Sequence, residues 1–359
     1  MTRQRVVVGP PLRTGDRLAH RVDGLGDDAT LWWASTDLPG TSPLTMDAAA
    51  VALMPKARRR GVDLHLAGQV ARSRLAAIEE LQDVWSAWPA DKHERTRITA
   101  DEVHDDVPVT GRRGLLAFSG GLDAVYSLVA HRTGALGHRS VPSLRAMFIR
   151  RIELNMPRDR DIERAVASAR AIADEVGAPL VTVETNWRTA FSPNYPMHHM
   201  LGIAGALRAM VQPGERVLVS SGAPYGSEVI PHGANALTDR LLGQDAHPCE
   251  PTGYGVDRIQ KCRAVAHLAS VREGLRVCWQ REAPGRNCGS CEKCVRSKLS
   301  FLAAGVGEIP ALGALSLEQV AAISLNTSIA RLHLARLLDY ESELGPRIAG
   351  AVRERLGAS

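Results

Sequence analysis

The chain has 359 residues, of which 45% are hydrophobic and 23% are charged. At about 150 residues per domain, this length predicts about two domains, and the hydrophobic fraction suffices for a sizeable core, which excludes disordered and collagen-like chains. No run of 18 apolar residues occurs, so no membrane span is expected. The net charge is +5, but the arginines are dispersed and only 4% of residues are aromatic, so nucleic acid is not an expected partner.

The N-terminal segment and the cysteines point to a cytoplasmic protein. Only three apolar residues, Val6 to Val8, precede Gly9, too few for the apolar part of a secretory signal. Three of the six cysteines lie between Cys288 and Cys294, a spacing that favours metal binding in a reducing compartment over a disulfide framework.

Residues 1–110 are predicted to form an α+β domain of unassigned role. Strands are predicted at residues 31–34 and 62–66, followed by a helix over 74–87 whose tryptophans face a core. The acidic segment 101–113 is predicted to be a linker, which places a domain boundary near residue 111.

After residue 111, strand-like and helix-like segments alternate, which is typical of an α/β fold with a doubly wound parallel sheet. The predicted strands are 115–118, 145–152, 180–184 and 217–220. The predicted helices are 123–131, 158–176 and 197–211. From residue 295 onward the pattern is helical, with a capping box from Ser316 to Gln319 and with Pro346 placed to begin a last helix. Residues 301–359 are therefore predicted to form a helical tail.

A glycine-rich turn joins the first of these strands to the first helix. Ser119, Gly120, Gly121, Leu122 and Asp123 occupy it, and two adjacent glycines let backbone N–H groups approach an anion at a helix N-terminus. The turn matches neither the GxxxxGK[ST] loop nor the three-glycine dinucleotide motif. Asp123 would repel phosphate unless a cation lies between them, so Mg²⁺ is predicted. An ordinary tight turn with Asp123 as helix N-cap stays open at this point.

The turn resembles the SGGxDS pyrophosphate loop of the PP-loop ATP pyrophosphatases, which belong to the adenine-nucleotide alpha-hydrolase superfamily. The resemblance implies that residues 111–277 form an ATP-binding domain, in which residues 119–123 hold ATP as a cofactor. It also implies catalytic roles for Ser119 and Asp123 while a substrate oxygen is adenylated. The last serine of the motif is Ala124 here, which removes one hydroxyl contact to phosphate.

Four cysteines follow in the spacing C-x9-C-x2-C-x2-C: Cys278, Cys288, Cys291 and Cys294. This spacing predicts a tetrahedral Zn²⁺ site, although redox or iron–sulfur chemistry stays open. Four thiolates leave no open position on the metal, so we assign the segment 278–300 a structural role.

Residues 278–296 also resemble the zinc segment of 7-cyano-7-deazaguanine synthases, and the resemblance covers about residues 114–300. It implies an ATP-dependent ligase that converts 7-carboxy-7-deazaguanine and ammonia into an amide or nitrile, and a homodimer. The extra 110 N-terminal residues, the tail and Ile152 to Asn155 depart from the compact synthases. The longer architecture is more similar to synthase-like proteins of anti-phage defence systems and biosynthetic clusters, where the acceptor can be another amine, including one on a protein.

Other residues are assigned by position. Ser221 and Gly222 follow a predicted strand and are expected to line the nucleotide site. His232, Gly233 and Asn235 are expected to contact substrate, and Lys261 is expected to stabilise charge on the transferred phosphate.

Two pairs of residues are assigned no catalytic role or only a conditional one. His198 and His199 are expected to face solvent or cap a helix, and Cys249 and Cys262 to be small buried hydrophobes. The alternatives are sulfur transfer through Cys249 or Cys262 and a non-catalytic ATP-sensing module.

Overall fold

The computed structural model describes residues 3–25, 29–40, 44–88, 93–152, 159–192, 194–226, 231–278, 280, 285–326 and 328–357. The strands are β1 (Arg5–Val8), β2 (Leu12–Thr14), β3 (Arg17–Asp23), β4 (Ala29–Ala34), β5 (Asp63–Ala71), β6 (Ile98–His104), β7 (Arg113–Ala117), β8 (Ser143–Arg150), β9 (Leu180–Thr185), β10 (Glu215–Ser220) and β11 (Cys249–Thr252). The α-helices are α1 (Asp47–Arg60), α2 (Arg72–Ala87), α3 (Leu122–Arg132), α4 (Asp159–Glu175), α5 (Trp187–Phe191), α6 (Tyr195–Met210), α7 (Arg258–Val265), α8 (Ala269–Gly274), α9 (Glu292–Ala303), α10 (Leu317–Ala321), α11 (Ser328–Arg336) and α12 (Glu341–Gly357). Short 3₁₀ helices occupy Gly137–Arg139, Asp239–Leu242 and Leu337–Tyr340.

All these strands form one mostly parallel sheet in the order β11-β10-β7-β8-β9-β4-β3-β1-β5-β6, with β2 beside β3. The five strands from β11 to β9 are parallel, and β7, the first of them in the chain, lies in the middle. The strand order therefore reverses between β7 and β10, and ligands of such sheets bind at the carboxyl ends of the strands on either side of this point.

The N-terminal strands continue the same sheet. Strand β4 pairs antiparallel with β9, where Trp33 lies opposite Thr185 and Ala34 opposite Glu184. Beyond β4, the strands β3 and β1 are antiparallel, and β5 and β6 return to parallel pairing. The first four residues of the predicted linker, 101–104, belong to β6, so that part of the prediction is wrong: these side chains alternate at an exposed sheet edge, where acidic residues remain in water.

Helices cover both faces of the parallel half. Leu115 of β7 and Met147 of β8 face a core formed with α1, α5 and α6, whereas the adjacent Leu116 and Ala146 face a core formed with α3, α4, α7 and α9. Because successive strand residues point to opposite faces and both faces are covered, β7 and β8 carry consecutive apolar residues in their middle, as in Ala146 to Ile149. The first core extends without interruption under the N-terminal strands.

The C-terminal tail is helical, as predicted. The side chain of Ser316 caps α10 and Gln319 completes the capping box. Gly345, with φ of +74°, interrupts α12 immediately before Pro346, so the last helical segment begins at the predicted place. Among the described residues, no helix has both the length and the apolar character needed to cross a membrane.

Candidate functional site

The glycine-rich turn lies between β7 and α3, at the point where the strand order reverses. Gly120 has φ of +73°, and a Cβ there would lie 3.2 Å from the Cβ of Ala169 on α4, so a side chain would be both strained and crowded. Gly121 is the N-cap of α3, and no side chain caps the helix. Asp123 therefore lies in the first turn and is not the N-cap, and the backbone at the start of α3 is left open to a ligand.

Two cations from α7 hold the carboxylate of Asp123. Lys261 Nζ donates to Asp123 Oδ1 at 2.8 Å, and Arg258 Nη1 lies 3.5 Å from Oδ2. They share one face of α7 because they are three residues apart. Burial by itself would raise the pKa of Asp123, but Lys261 and Arg258 hold it well below its ordinary value. The carboxylate, whose side chain is 28% exposed, is thus ionised at neutral pH.

A second helix adds positive charge to the same place. Arg296 of α9 is buried. Burial, followed by the positive charge of Arg258, lowers the pKa of Arg296 to about 10, and Asp123 acts on it in the opposite direction. Lys293, one turn earlier on α9, also lowers the pKa of Asp123. We call Arg258, Lys261, Lys293 and Arg296 the cation cluster.

The cation cluster faces fewer carboxylates than it has cations. Its four cations face Asp123 and Glu292 in this part of the described structure, and the negative charge of the Cys291 thiolate also acts on Arg296. Arg258 Nε is buried without a hydrogen-bond acceptor, and Arg296 Nε lies 3.2 Å from Glu292 Oε1 without hydrogen-bond alignment. Buried guanidinium groups with unused donors fit a site that receives an anion with several oxygens.

The turn after β10 completes the edge of the site. The carbonyl of Ser221 accepts a hydrogen bond of 2.5 Å from Lys261 Nζ, and its N–H donates to the carbonyl of Thr252 at the end of β11. Gly222 borders open space, since a Cβ there would meet nothing within 4 Å. The structure thus brings Ser221 to Lys261 and Asp123, three of the residues selected from the sequence.

The predicted substrate residues lie in a neighbouring loop against the start of α6. The rings of His232 and His199 are 5.0 Å apart, and a Cβ on Gly233 would lie 2.7 Å from the carbonyl oxygen of Met197. Asn235 is buried, and within the described part of the chain its side chain forms hydrogen bonds only with the backbone of its own turn. Gly233 and Asn235 therefore shape the loop. His232 differs from them because its imidazole ring lies against a second imidazole, that of His199.

The two adjacent histidines of α6 have different surroundings. His198 is buried and stacks on Trp85 at 5.5 Å, so the prediction that it faces solvent is wrong. Because α6 packs against the N-terminal helices, this face is a core. Burial and then His232 lower the pKa of His199 to about 4, and Lys293 contributes in the same direction. His199 is therefore a neutral imidazole between the His232 loop and the cation cluster.

Sequence reasoning missed His333, which the helical tail brings to the same region. Burial, followed by the positive charges of Arg296 and Arg258, lowers the pKa of His333 to about 3. Asp123 and Lys261 also affect it, so α11 approaches the site from the tail. No local motif around residue 333 signals this position, because only the packing of α11 on α9 creates it.

The four predicted cysteines form one cluster. Their ligand atoms all lie within 4.8 Å of one another, with Sγ distances of 3.8 Å between Cys278 and Cys291 and 3.9 Å between Cys288 and Cys294. A tetrahedral zinc with Zn–S bonds of about 2.3 Å requires neighbouring sulfurs about 3.8 Å apart. The four thiolates fit a metal such as zinc, and no fifth ligand is needed.

Backbone and charge contacts support this cluster. The N–H of Cys291 donates to Cys288 Sγ at 3.3 Å, and Gly289, with φ of +78°, forms the turn between them. Lys298 Nζ is held near the thiolates by the carbonyls of Gly289 and Ala314, where its charge offsets the net negative charge of a four-thiolate zinc site.

The cysteine cluster also positions part of the cation cluster. Cys291 is the N-cap of α9 and Cys294 lies in its first turn. Lys293 and Arg296 are on the same two turns, so a metal held by the cysteines would anchor the end of α9 that carries these cations. The two sequence motifs, which are more than 150 residues apart, therefore belong to one site.

The two remaining cysteines are inert. Cys262 is fully buried and burial raises its pKa to about 12, while burial also raises the pKa of Cys249. A thiol with a raised pKa and no access to solvent is a poor nucleophile. Trp279 belongs to the segment that resembles the synthases, and residues 153–155 belong to the segment that departs from them. These residues lie outside the described part of the structure.

Comparisons of the chain with protein-family models, with curated proteins and with solved structures found no significant match. The glycine turn, the cation cluster and the four cysteines are therefore the features from which function is inferred.

Proposed function

We propose that this chain is an ATP-dependent ligase of the PP-loop type that adenylates a carboxylate and joins it to ammonia or another amine. The first candidate substrate is 7-carboxy-7-deazaguanine, with an amide or nitrile as product. The observation that carries the proposal is the group of cations, Arg258, Lys261 and Arg296, gathered at an uncapped helix N-terminus beside a glycine turn. Such a site suits a polyphosphate chain.

The proposed residue roles follow from charge and position. A carboxylate oxygen of the substrate would bond to the α-phosphorus of ATP as the bond to pyrophosphate breaks, and an amine would then displace AMP from the acyl adenylate. Lys261 and Arg258 would stabilise the charge on the departing pyrophosphate, because both already face the end of the glycine turn. Asp123 would hold Mg²⁺, which supplies charge neutralisation between phosphate oxygens when bound.

The structural role of zinc is part of the same proposal. Four thiolate ligands leave no position for substrate, so the metal would act by anchoring α9. Sulfur transfer is disfavoured because Cys249 and Cys262 are both buried thiols with raised pKa. A cytoplasmic location, a homodimer and a role in anti-phage defence or a biosynthetic cluster remain proposals that accompany the family resemblance.

The test is a reaction of the purified protein with Mg-ATP, ammonia and 7-carboxy-7-deazaguanine, analysed by mass spectrometry. We expect AMP together with an amide or nitrile. The variant Lys261→Met should lose the reaction, whereas Arg263→Met, an exposed cation on the same helix, should retain it. Nucleotide binding without AMP formation, with this acid and with other carboxylates, would instead support an ATP-sensing module.

A further inference from the structure

One exposed aromatic residue lies next to the cation cluster. Tyr225 is 59% exposed and is the one aromatic side chain among the large exposed hydrophobic residues of the described ranges. It follows β10 at the carboxyl edge of the sheet, in the turn that begins with Ser221. An exposed ring at a ligand-binding edge, unlike a scattered surface residue, has a place where a planar ligand can cover it.

Tyr225 is held rigidly from behind. Its ring stacks on Tyr254 at 5.1 Å with an interplanar angle of 27°, and its N–H donates to the carbonyl of Tyr254 at 2.8 Å. The hydroxyl of Tyr254 donates at 2.7 Å to Asp239, which is fully buried and also accepts from the N–H of Asn235. One face of Tyr225 is therefore fixed on a buried support, and no ring of the described residues stacks on its other face.

The two segments that carry the tyrosine pair also approach Lys261. The carbonyl of Ser221, four residues before Tyr225, accepts from Lys261 Nζ. Gly253, the residue before Tyr254, has φ of +96°, and a Cβ there would lie 3.2 Å from Lys261 Nζ. A larger residue at 253 would thus separate the aromatic pair from the cation.

The helical tail adds a planar cation on the other side of the turn. A Cβ on Gly226 would lie 3.8 Å from Arg336 Nη2 at the end of α11. A guanidinium next to this turn is suited to a flat, electron-rich heterocycle, which it can stack on or hydrogen-bond at the rim.

We propose that Tyr225, supported by Tyr254, is the platform on which a fused heteroaromatic ring of the ligand stacks. The ring is either the adenine of ATP or the purine-like ring of the acid to be activated. This inference rests on the proposed function, since it names the group that recognises the flat part of a ligand whose phosphates meet the cation cluster.

The test is equilibrium binding by calorimetry, with ATP, inorganic tripolyphosphate and 7-carboxy-7-deazaguanine as the three probes. Tyr225→Leu should weaken the binding of at least one ring-containing probe about tenfold and leave the binding of tripolyphosphate unchanged. Tyr225→Phe should bind all three probes with affinities within about twofold of the parent. A tenfold change corresponds to about 1.4 kcal/mol. Leu237→Ala, a truncation at an exposed residue of a neighbouring turn, is the matched control and should change nothing.

The pattern of loss identifies the ring. If Tyr225→Leu binds ATP more weakly and binds the acid like the parent, the platform is assigned to adenine. The reverse result assigns the platform to the ring of the acid. The proposal is overturned if Tyr225→Leu, with an unchanged melting temperature, binds both ring-containing probes like the parent, or if the parent binds neither of them more tightly than tripolyphosphate. Ring-dependent binding without formation of AMP would contradict the ligase and leave the platform intact.

Discussion

Replacing Lys261 by methionine removes the central contact of the site while keeping a similar volume. The ammonium is 2% exposed and bonds to Asp123 Oδ1 and to the carbonyl of Ser221. Methionine leaves the carboxylate of Asp123 with Arg258 as its nearest remaining cation, and leaves the carbonyl of Ser221 without this donor. Both losses act on stability before any ligand is considered.

The expected destabilisation is about 2–4 kcal/mol. Removing one partner of a fully buried ion pair costs about 3–5 kcal/mol, and an orphaned buried acceptor costs about 1–3 kcal/mol. The Asp123 side chain is 28% exposed and keeps Arg258 at 3.5 Å, so the ion-pair contribution is reduced by solvent screening. With the ion-pair contribution reduced to about 1 kcal/mol, the sum with the orphaned acceptor is about 2–4 kcal/mol.

The assay is urea unfolding of the parent, of Lys261→Met and of Arg263→Met between pH 3 and 8. The pKa of Asp123 is held below its ordinary value, so its ion pair stabilises the fold above about pH 3.9, the unfolded pKa, and is lost as the pH falls further. The difference between parent and Lys261→Met should thus be largest near neutrality and shrink below about pH 4. Arg263→Met removes one hydrogen bond, to the carbonyl of Ala304, and should stay within about 1 kcal/mol of the parent at every pH.

A double-mutant cycle provides the decisive comparison. In the Lys261→Met background, Asp123→Asn should restore part of the lost stability, because it removes a charge that has lost its main partner. A destabilisation below about 0.5 kcal/mol, or one that is independent of pH and of Asp123, would refute the ion-pair reasoning.

Three further predictions concern other parts of the molecule. The protein should contain one zinc per chain, and Cys291→Ser should lower both zinc content and melting temperature; an unchanged metal content would contradict the site. Gly202→Ala should cost about 1–3 kcal/mol in unfolding, because a Cβ there would lie 2.2 Å from Trp187 Cε3, whereas Gly350→Ala in open space should be neutral or stabilising. Burial raises the pKa of Asp239 to about 6, so the free energy of unfolding should decrease as the pH rises from about 4 to 6. Asp239→Asn should remove this decrease, and a pH profile identical to that of the parent would contradict the role of Asp239.

Local patterns were sufficient for most elements after residue 111. The predicted strand 180–184 and helix 197–211 agree with β9 and α6 to within two residues, because hydrophobic period and flanking glycines are properties of neighbouring residues. Gly177 has φ of +74° after α4, as expected of a helix C-terminus. The cysteine spacing likewise predicted a cluster that the structure confirms, since short loops limit how far the four sulfurs can separate.

The sequence by itself determined the glycine turn, the four cysteines and the helical tail, all of which depend on residues close together in the chain. Only the tertiary structure decided that β4 extends the parallel sheet at β9, that α7 and α9 direct their cations at Asp123, and that Tyr225 stacks on Tyr254 beside them. These contacts join residues from 29 apart, in the tyrosine pair, to 173 apart, between Asp123 and Arg296. Their partners are selected by the packing of whole helices and strands, and no spacing within one segment encodes that choice.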